Sequence, residues 1–165
     1  MNISDYPKES IIRELFQNAL GCRYESGDIK IVVDFQQEDI VTISYNEVGF
    51  SMEDILYYLS FGMNNGDDAR EGRFGIGAKS VFLNVRSLAL RSNTFSFKVN
   101  NDDGVLRIED LNFNNKAFNG TKISLHLDNS EYQRIYENFT TLTEKKGDYI
   151  NMVELFFRKG GKILI

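Results

Sequence analysis

The strongest constraint on this chain is a glycine-rich segment, residues 71–82, with the sequence EGRFGIGAKSVF. Gly72, Gly75 and Gly77 are spaced as G-x-x-G-x-G, and the residues that follow predict the start of a helix. Glycine permits close backbone approach to a ligand, and a helix start presents unpaired amides with a partial positive charge. The segment therefore predicts a phosphate-binding loop, to which Lys79 would add a full charge, or a turn that only precedes a helix.

Two common phosphate-binding motifs do not describe this segment. A Walker A loop requires G-x-x-x-x-G-K-[ST], but Ala78 separates Gly77 from Lys79. Both that loop and the dinucleotide-binding fingerprint follow a buried strand, whereas residues 63–71 have the polar sequence MNNGDDARE. A polar segment here is typical of a lid that closes over a ligand, although a plain loop would have the same composition.

Composition excludes several classes of protein. The 165 residues are 42% hydrophobic and 26% charged, which predicts a single folded domain over residues 1–165. No apolar run approaches the roughly 20 residues that span a bilayer, and a net charge of −5 disfavours nonspecific nucleic-acid binding. One cysteine and no signal-peptide pattern indicate a cytoplasmic protein without membrane or nucleic-acid partners.

The periodicity of apolar residues predicts a mixed fold. Helical spacing predicts helices over 7–22, 51–62, 130–142 and 148–157, with a further helix starting near residue 78. In the helix over 51–62, Ser51 and Asp54 indicate a capping box, and the spacing predicts a buried face of Met52, Ile55, Leu56 and Leu59. The sequence Asn-Asp-Asp-Gly over 101–104 predicts a turn. Alternation predicts strands over 29–35, 40–45, 85–91, 95–99, 105–111, 121–127 and 162–165, with residues 112–119 as a polar loop. This order predicts an α+β fold, a two-layer α/β sandwich with helices on one face of a mostly antiparallel mixed sheet.

Two polar residues on the first predicted helix are candidates for chemistry. Glu14 and Asn18 are four residues apart and therefore lie on one helix face. A carboxylate beside an amide could activate water and ligate a hard cation such as magnesium. An ordinary solvated flank of the helix would have the same pattern, so the pair alone leaves both interpretations open.

Four segments in this order resemble the GHKL superfamily of ATPases, which have the Bergerat fold and include gyrase, heat-shock-90-type chaperones, histidine kinases and MutL. They are Glu14-x-x-x-Asn18, NEVGFS (46–51), GRFGIGAKSVF (72–82) and NGTKISL (119–125). The sequence is most similar to the chaperone-like and sacsin-like branch.

The resemblance implies ATP and Mg²⁺ as cofactors and assigns roles to individual residues. Glu14 matches the general base that polarises the attacking water, and Asn18 matches the residue that holds magnesium. Thr121 matches a threonine at the adenine end, and Cys22 and Met52 match positions near the base pocket. The phosphate-binding loop comprises Gly72, Arg73, Phe74, Gly75, Ile76 and Gly77, with Lys79 added on electrostatic grounds.

The chain departs from the family motif D-x-G-x-G, whose aspartate binds the adenine amino group. Alignment on Gly49 puts Tyr45 at the aspartate position and Glu47 at the first glycine. Either Asn46 or Glu47 then takes over base recognition, or adenine specificity is weakened. The family also often has an acidic residue three positions after Asn18, and this chain lacks it.

We therefore expect a Mg²⁺-dependent ATPase module that acts as a conformational switch. The lid over residues 63–71 would couple hydrolysis to a homodimer or to a protein partner. Because the sequence contains no output domain, we expect the chain to be the N-terminal part of a longer protein. The main alternative is a degenerate module that senses nucleotide, binds a partner or dimerises without turnover. A histidine-kinase catalytic domain is a further alternative, but that branch does not use a water-activating glutamate like Glu14.

Overall fold

The structure is a computed structural model, and it describes residues 10–25, 29–36, 39–59, 81–144, 153–159 and 162–163. Its helices are α1 (Ser10–Leu20), α2 (Met52–Leu59) and α3 (Asn129–Glu144). Its strands are β1 (Ile29–Phe35), β2 (Ile40–Tyr45), β3 (Ser87–Asp102), β4 (Val105–His126), β5 (Val153–Lys159) and β6 (Lys162–Ile163).

The strands form one six-stranded sheet in the order β3-β4-β2-β1-β5-β6. Neighbouring strands are antiparallel except β1 and β5, which are parallel. The tight β3–β4 turn has Asp103 and Gly104 at φ angles of 52° and 87°, as a two-residue hairpin turn requires. The Gly104 amide also donates to Asn101 Oδ1 at 2.8 Å. This confirms the turn that the sequence Asn-Asp-Asp-Gly predicted.

Alternation along the strands gives the central sheet one apolar face. The β1–β2, β2–β4 and β3–β4 registers place inward residues side by side in rows that cross four strands. Two of these rows are entirely apolar and buried: Phe35, Val41, Leu125 and Leu88 in one, and Val33, Ile43, Ile123 and Leu90 in the next. Burial of these side chains is the main source of stability for the sheet.

The helices add side chains to the same hydrophobic core. From α1 come Ile11, Leu15 and Ala19, and from α3 come Tyr132 and Ile135. The start of α2 is fixed as predicted: Ser51 N and Oγ donate to Asp54 Oδ2, and Asp54 N donates back to Ser51 Oγ at 3.2 Å.

The apolar face expected for α2 is partly wrong. Ile55 is buried, but Met52 and Leu56 are 45% and 62% exposed. Tyr58 is buried instead, and its ring packs at 5.3 Å from Phe82 and 6.2 Å from Phe97. With a third ring contact to Phe50, Tyr58 takes the place on the inward face of this short helix that Met52 and Leu56 were expected to occupy.

The expected fold class, a two-layer α/β sandwich with helices on one face, is wrong. The described residues are mostly antiparallel sheet, and the helices among them are few and short. Two segments explain the difference. The predicted loop over 112–119 belongs to β4, which is 22 residues long and pairs with the 16-residue β3. The predicted helix over 148–157 is wrong at its C-terminal half, because residues 153–159 form β5 beside β1.

Among the residues that the structure describes, no helix is both long and apolar enough to cross a bilayer. The buried polar side chains lie on β2, β3 and β4, in the loop after β2 and at the end of α1.

Candidate functional site

The third row of inward side chains in the sheet differs from the two apolar rows. It consists of Ile31, Tyr45, Thr121 and Ser92, and all four are buried. We call Tyr45, Thr121 and Ser92 the polar row. Polar groups inside a core need hydrogen-bond partners, and the polar row finds several of them in the loop that follows β2.

A chain of hydrogen bonds runs through this region and ends at a buried carboxylate. Thr121 Oγ1 donates to Glu47 Oε1 at 2.5 Å, and Glu47 is 1% exposed. Ser92 Oγ lies 2.5 Å from Thr121 Oγ1 and accepts from the Phe50 amide at 2.8 Å. Each hydroxyl has one proton, so Ser92 donates to Thr121 when Thr121 donates to Glu47. The Ser92 and Thr121 hydroxyls in this series of hydrogen bonds thus both donate in the direction of the Glu47 carboxylate.

Two glycines allow the end of β2 and the loop after it to lie close to β3 and β4. Gly49 has a φ of 85°, and a side chain there would lie 2.9 Å from the Cβ of Asn93. Gly120 has a φ of 88°, and a side chain there would collide with the carbonyl of Tyr45. A side chain at Gly49 would therefore push the loop away from Asn93 of β3, and one at Gly120 would push β4 away from the end of β2.

The C-terminal end of α1 reaches the same region. Asn18 is 6% exposed, and its Nδ2 has no hydrogen-bond partner among the described residues. Cys22 Sγ donates to the Asn18 carbonyl at 3.1 Å. The loop after β2 is tied to the segment after α1, because the Val48 amide donates to the Arg23 carbonyl at 3.0 Å.

Two tyrosines lie near the C-terminal end of α1: Tyr45 of the polar row and Tyr24, which follows the helix. Burial raises the pKa of Tyr45 well above 10.0, and nearby Cys22 and Glu47 raise it further. Burial also raises the pKa of Tyr24, with added contributions from the same two residues. Tyr24 OH donates to the Ala19 carbonyl at 2.7 Å, whereas Tyr45 OH has no partner in the described part of the chain. These interactions put Cys22 and Glu47 close to the same tyrosines.

The predicted site residues fall into three groups. The structure brings together five of them from three distant segments: Asn18, Cys22, Glu47, Gly49 and Thr121. Glu14 is half-buried one helical turn before Asn18.

Two predicted residues are placed differently. Asn46 is exposed, and its Oδ1 accepts from the Lys30 amide at 2.7 Å, so its side chain joins the loop to β1. Met52 is exposed on α2. The third group lies outside the described residues: Gly72, Arg73, Phe74, Gly75, Ile76, Gly77, Lys79 and the predicted lid over 63–71.

Sequence reasoning missed Ser92. Its role depends on the register between β3 and β4, which puts it directly opposite Thr121. The only sequence signal is a small hydroxyl residue between Arg91 and Asn93 at the end of an alternating apolar run.

The donor set can be compared with the needs of Mg²⁺ and a nucleotide. Mg²⁺ in nucleotide sites takes one or two protein oxygens together with phosphates and waters. Asn18 offers one side-chain oxygen and a buried amide nitrogen that lacks a partner in the described ranges. Those ranges contain no group of three or more His, Cys, Asp or Glu side chains arranged to hold a metal on their own. The Asn18 oxygen would therefore supply one ligand of such a cation, and a bound phosphate and waters would have to supply the others.

Comparison with known proteins yields no family assignment. A scan against protein-family models finds no match, and a search of curated proteins finds no significant match.

Proposed function

We propose that this chain binds and hydrolyses ATP in a Mg²⁺-dependent manner, as an ATPase module related to the GHKL superfamily. One observation carries the proposal. Glu47, a buried carboxylate, accepts a hydrogen bond from Thr121 near the C-terminal end of α1, where Asn18 and Cys22 lie. Residues that the resemblance links to the base and the cation thus come from separate segments that lie near one another, which supports the proposal.

The base end of the proposed site centres on Glu47. A carboxylate has about four lone-pair directions, so the bond from Thr121 leaves capacity for another donor. The exocyclic amino group of adenine is a donor of this kind. Glu47 would therefore perform the task of the family's aspartate from a position two residues later, while Tyr45 takes the aspartate's own place. Asn46 is less suited to this task, because its exposed side chain is tied to β1 through the bond from the Lys30 amide to its Oδ1.

The phosphate end of the proposed site centres on α1. Asn18 Oδ1 would hold magnesium, which neutralises phosphate charge and orients the terminal phosphate. Glu14, one turn earlier on the same face, would accept a proton from the attacking water. The glycine-rich loop with Lys79 would bind the phosphates through its backbone amides, and the lid over 63–71 would close over them.

We further propose that closure of the lid makes the module a conformational switch. Closure of the lid excludes water and commits the bound nucleotide to hydrolysis. Closure can also change the affinity of the module's surface around the lid for a partner. The partner would be a second copy of the chain or another part of a larger protein. A cytoplasmic location would supply both ATP and a reducing environment for Cys22.

The second candidate function is a binding module that has lost turnover. Tyr45 favours it, because a bulky, fully buried phenol stands where the family has a small acid. If the tyrosines fill the base pocket, the domain would bind a partner or sense a smaller ligand without hydrolysis.

Phosphate release with ATP and Mg²⁺ separates the two candidates. The ATPase proposal predicts turnover that falls about 10²-fold or more in Glu14→Ala, because general-base catalysis contributes that much. A matched control is Glu137→Ala, which removes an exposed glutamate from α3. Turnover that persists in Glu14→Ala would contradict the role of this residue, and absence of turnover with intact ATP binding would support the binding module.

A further inference from the structure

A concave surface lies on the face of the sheet opposite the polar row. It has a volume of about 350 Å³ and lies where the two halves of the β3–β4 hairpin meet. From the half nearer the sheet centre come Arg91, Lys122 and Ser124, and from the outer half come Lys98, Asp110 and Asn112. We call it the hairpin concavity.

Irregularities in the strands give the hairpin this shape. The β3–β4 register shifts between Ser92 and Asn93, between Asn93 and Phe95, and between Ser96 and Lys98. Such bulges bend a strand and increase its twist. On β4, Asp110 has a φ of 52°, and Asn112 Nδ2 donates to its carbonyl at 2.7 Å. The bend is therefore built into the backbone and does not depend on a flexible loop.

Charge is distributed unusually around the hairpin concavity. The lining contains three cations, Arg91, Lys98 and Lys122, and one acid, Asp110, in a chain whose net charge is −5. A second acid, Glu109, is opposite Lys98 in the register but is not part of the lining. Arg91 and Lys122 are directly opposite each other in the register, and like charges in that position destabilise a sheet. Within the described residues, none of the three cations forms an ion pair. Arg91 instead lies 5.0 Å from the ring centre of Phe118.

The hairpin concavity is separate from the proposed nucleotide site. Arg91 and Lys122 are the chain neighbours of Ser92 and Thr121, and side chains alternate between the two faces of a sheet. The cations therefore point away from the face on which Glu47 accepts its hydrogen bond. A ligand here would lie directly behind the polar row.

We propose that the hairpin concavity binds a small organic anion through a phosphate or carboxylate group. Guanidinium and ammonium groups bind such oxyanions with charge-assisted hydrogen bonds, and the Ser124 hydroxyl and Asn112 amide add neutral donors. An anion would also relieve the repulsion between Arg91 and Lys122. The volume is at the lower end of the range for ligand pockets, which fits a molecule of metabolite size.

Phenyl phosphate and benzoate are suitable probes, because they share an apolar body and differ in the anionic group. Each is titrated into the isotope-labelled full chain in phosphate-free buffer, and amide chemical shifts are followed by NMR. The proposal predicts saturable shifts near Arg91, Lys98 and Lys122 with at least one probe. A stronger response to one probe identifies the group that the concavity prefers. Shifts with neither probe, or shifts confined to other residues, would overturn the proposal.

A pair of matched double variants tests the assignment to these cations. Arg91→Gln with Lys122→Gln should weaken binding by about tenfold or more, as loss of charge-assisted hydrogen bonds implies. Arg107→Gln with Lys116→Gln removes the same charge from exposed positions on β4 outside the concavity and should have little effect. An equal loss in both double variants would indicate attraction by net charge alone and would overturn the proposal. Circular dichroism of each variant verifies that the exposed substitutions leave the sheet folded.

Discussion

Two neighbouring rows on the same face of the sheet have the same burial but opposite chemistry. Val33, Ile43, Ile123 and Leu90 form a row in which no side chain carries a polar atom. The next inward row along the strands contains Tyr45, Thr121 and Ser92, the three residues of the polar row. The backbone pairing is continuous through both, so the difference comes from side chains alone.

The comparison shows where this core gives up stability for a defined geometry. Apolar side chains in the first row contribute by leaving water and by packing. Polar side chains in the second row gain little net stability from hydrogen bonds, but they cost much when left unpaired. A buried chain of donors directed at one carboxylate is thus better explained by orientation of Glu47 than by stability.

The largest expected effect comes from the apolar row. Ile123→Ala should lower the free energy of unfolding by about 2–5 kcal/mol, because it removes buried methyl groups and leaves a cavity. Ile108→Ala is the matched control on the same strand, since Ile108 is 46% exposed. Urea denaturation measures both. A loss in Ile108→Ala as large as that in Ile123→Ala would contradict the assignment of the core to this face.

The next effect comes from the polar row. Thr121→Val keeps the shape but removes the donor to Glu47 and the acceptor for Ser92. We expect a loss of about 1–3 kcal/mol, the cost of leaving buried polar groups unpaired, together with weaker ATP binding.

Thr42→Val is the control for that change. Thr42 is also buried, but it lies on the other face and shares a hydrogen bond of 3.1 Å with half-buried Ser124, which water can reach. Its loss should be smaller and should leave ATP binding intact. Equal effects of the two variants on ATP binding would contradict a special role for Thr121.

A smaller effect is expected at Ser92, which the structure adds to the site. Ser92→Ala leaves the Phe50 amide and Thr121 without one partner each, and should cost about 1 kcal/mol. If Ser92 positions Glu47 through Thr121, ATP affinity falls while GTP affinity changes little. Unchanged ATP affinity would restrict Ser92 to a structural role.

The smallest effect at neutral pH is expected at Tyr45. Its hydroxyl has no partner in the described part of the chain, so Tyr45→Phe should change stability by no more than about 0.5 kcal/mol. Tyr132→Phe is the control and should cost about 1 kcal/mol, because Tyr132 OH donates to the Gln36 carbonyl at 2.9 Å. Urea denaturation at pH 7 compares the two variants.

At alkaline pH the effect of Tyr45→Phe on stability becomes larger. The pKa of Tyr45 is raised in the folded state above its ordinary value of 10.0. The stabilising contribution of the neutral phenol is therefore complete below pH 10.0, and it is lost as the pH rises from there through the raised value. Tyr45→Phe should therefore lose less stability than the wild type as the pH is raised above 10.0. Identical pH profiles would contradict burial of this hydroxyl.

Local sequence patterns predicted the parts of the fold that depend on neighbouring residues. Alternation identified β1 and β2, and the Ser51–Asp54 box and the Asp103–Gly104 turn are confirmed. Local patterns failed where pairing with a strand distant in the sequence determines the secondary structure. Residues 112–119, NFNNKAFN, are mostly polar and lack alternation, yet cross-strand pairing with β3 makes residues 112, 113 and 118 part of β4. Parallel pairing with β1 likewise makes residues 153–159 a strand.

The candidate site was predictable to a similar extent. Motif spacing named Asn18, Glu47 and Thr121, but it left Asn46 and Glu47 as alternatives because loop side chains have no fixed period. Only the three-dimensional structure shows the Asn46 side chain bound to β1 and Glu47 turned inward. Ser92 could not be named, since its partner lies 29 residues away and the pairing register includes a bulge.

The most direct test of the central claim is a calorimetric titration of ATP and GTP, with Mg²⁺, into the wild type and Glu47→Gln. Guanine presents a carbonyl oxygen where adenine presents its amino group, so a carboxylate should favour ATP. We predict that the wild type binds ATP at least about tenfold more tightly than GTP, and that Glu47→Gln largely removes this preference. Equal affinities for the two nucleotides in the wild type, or no nucleotide binding at all, would contradict the claim that Glu47 recognises adenine.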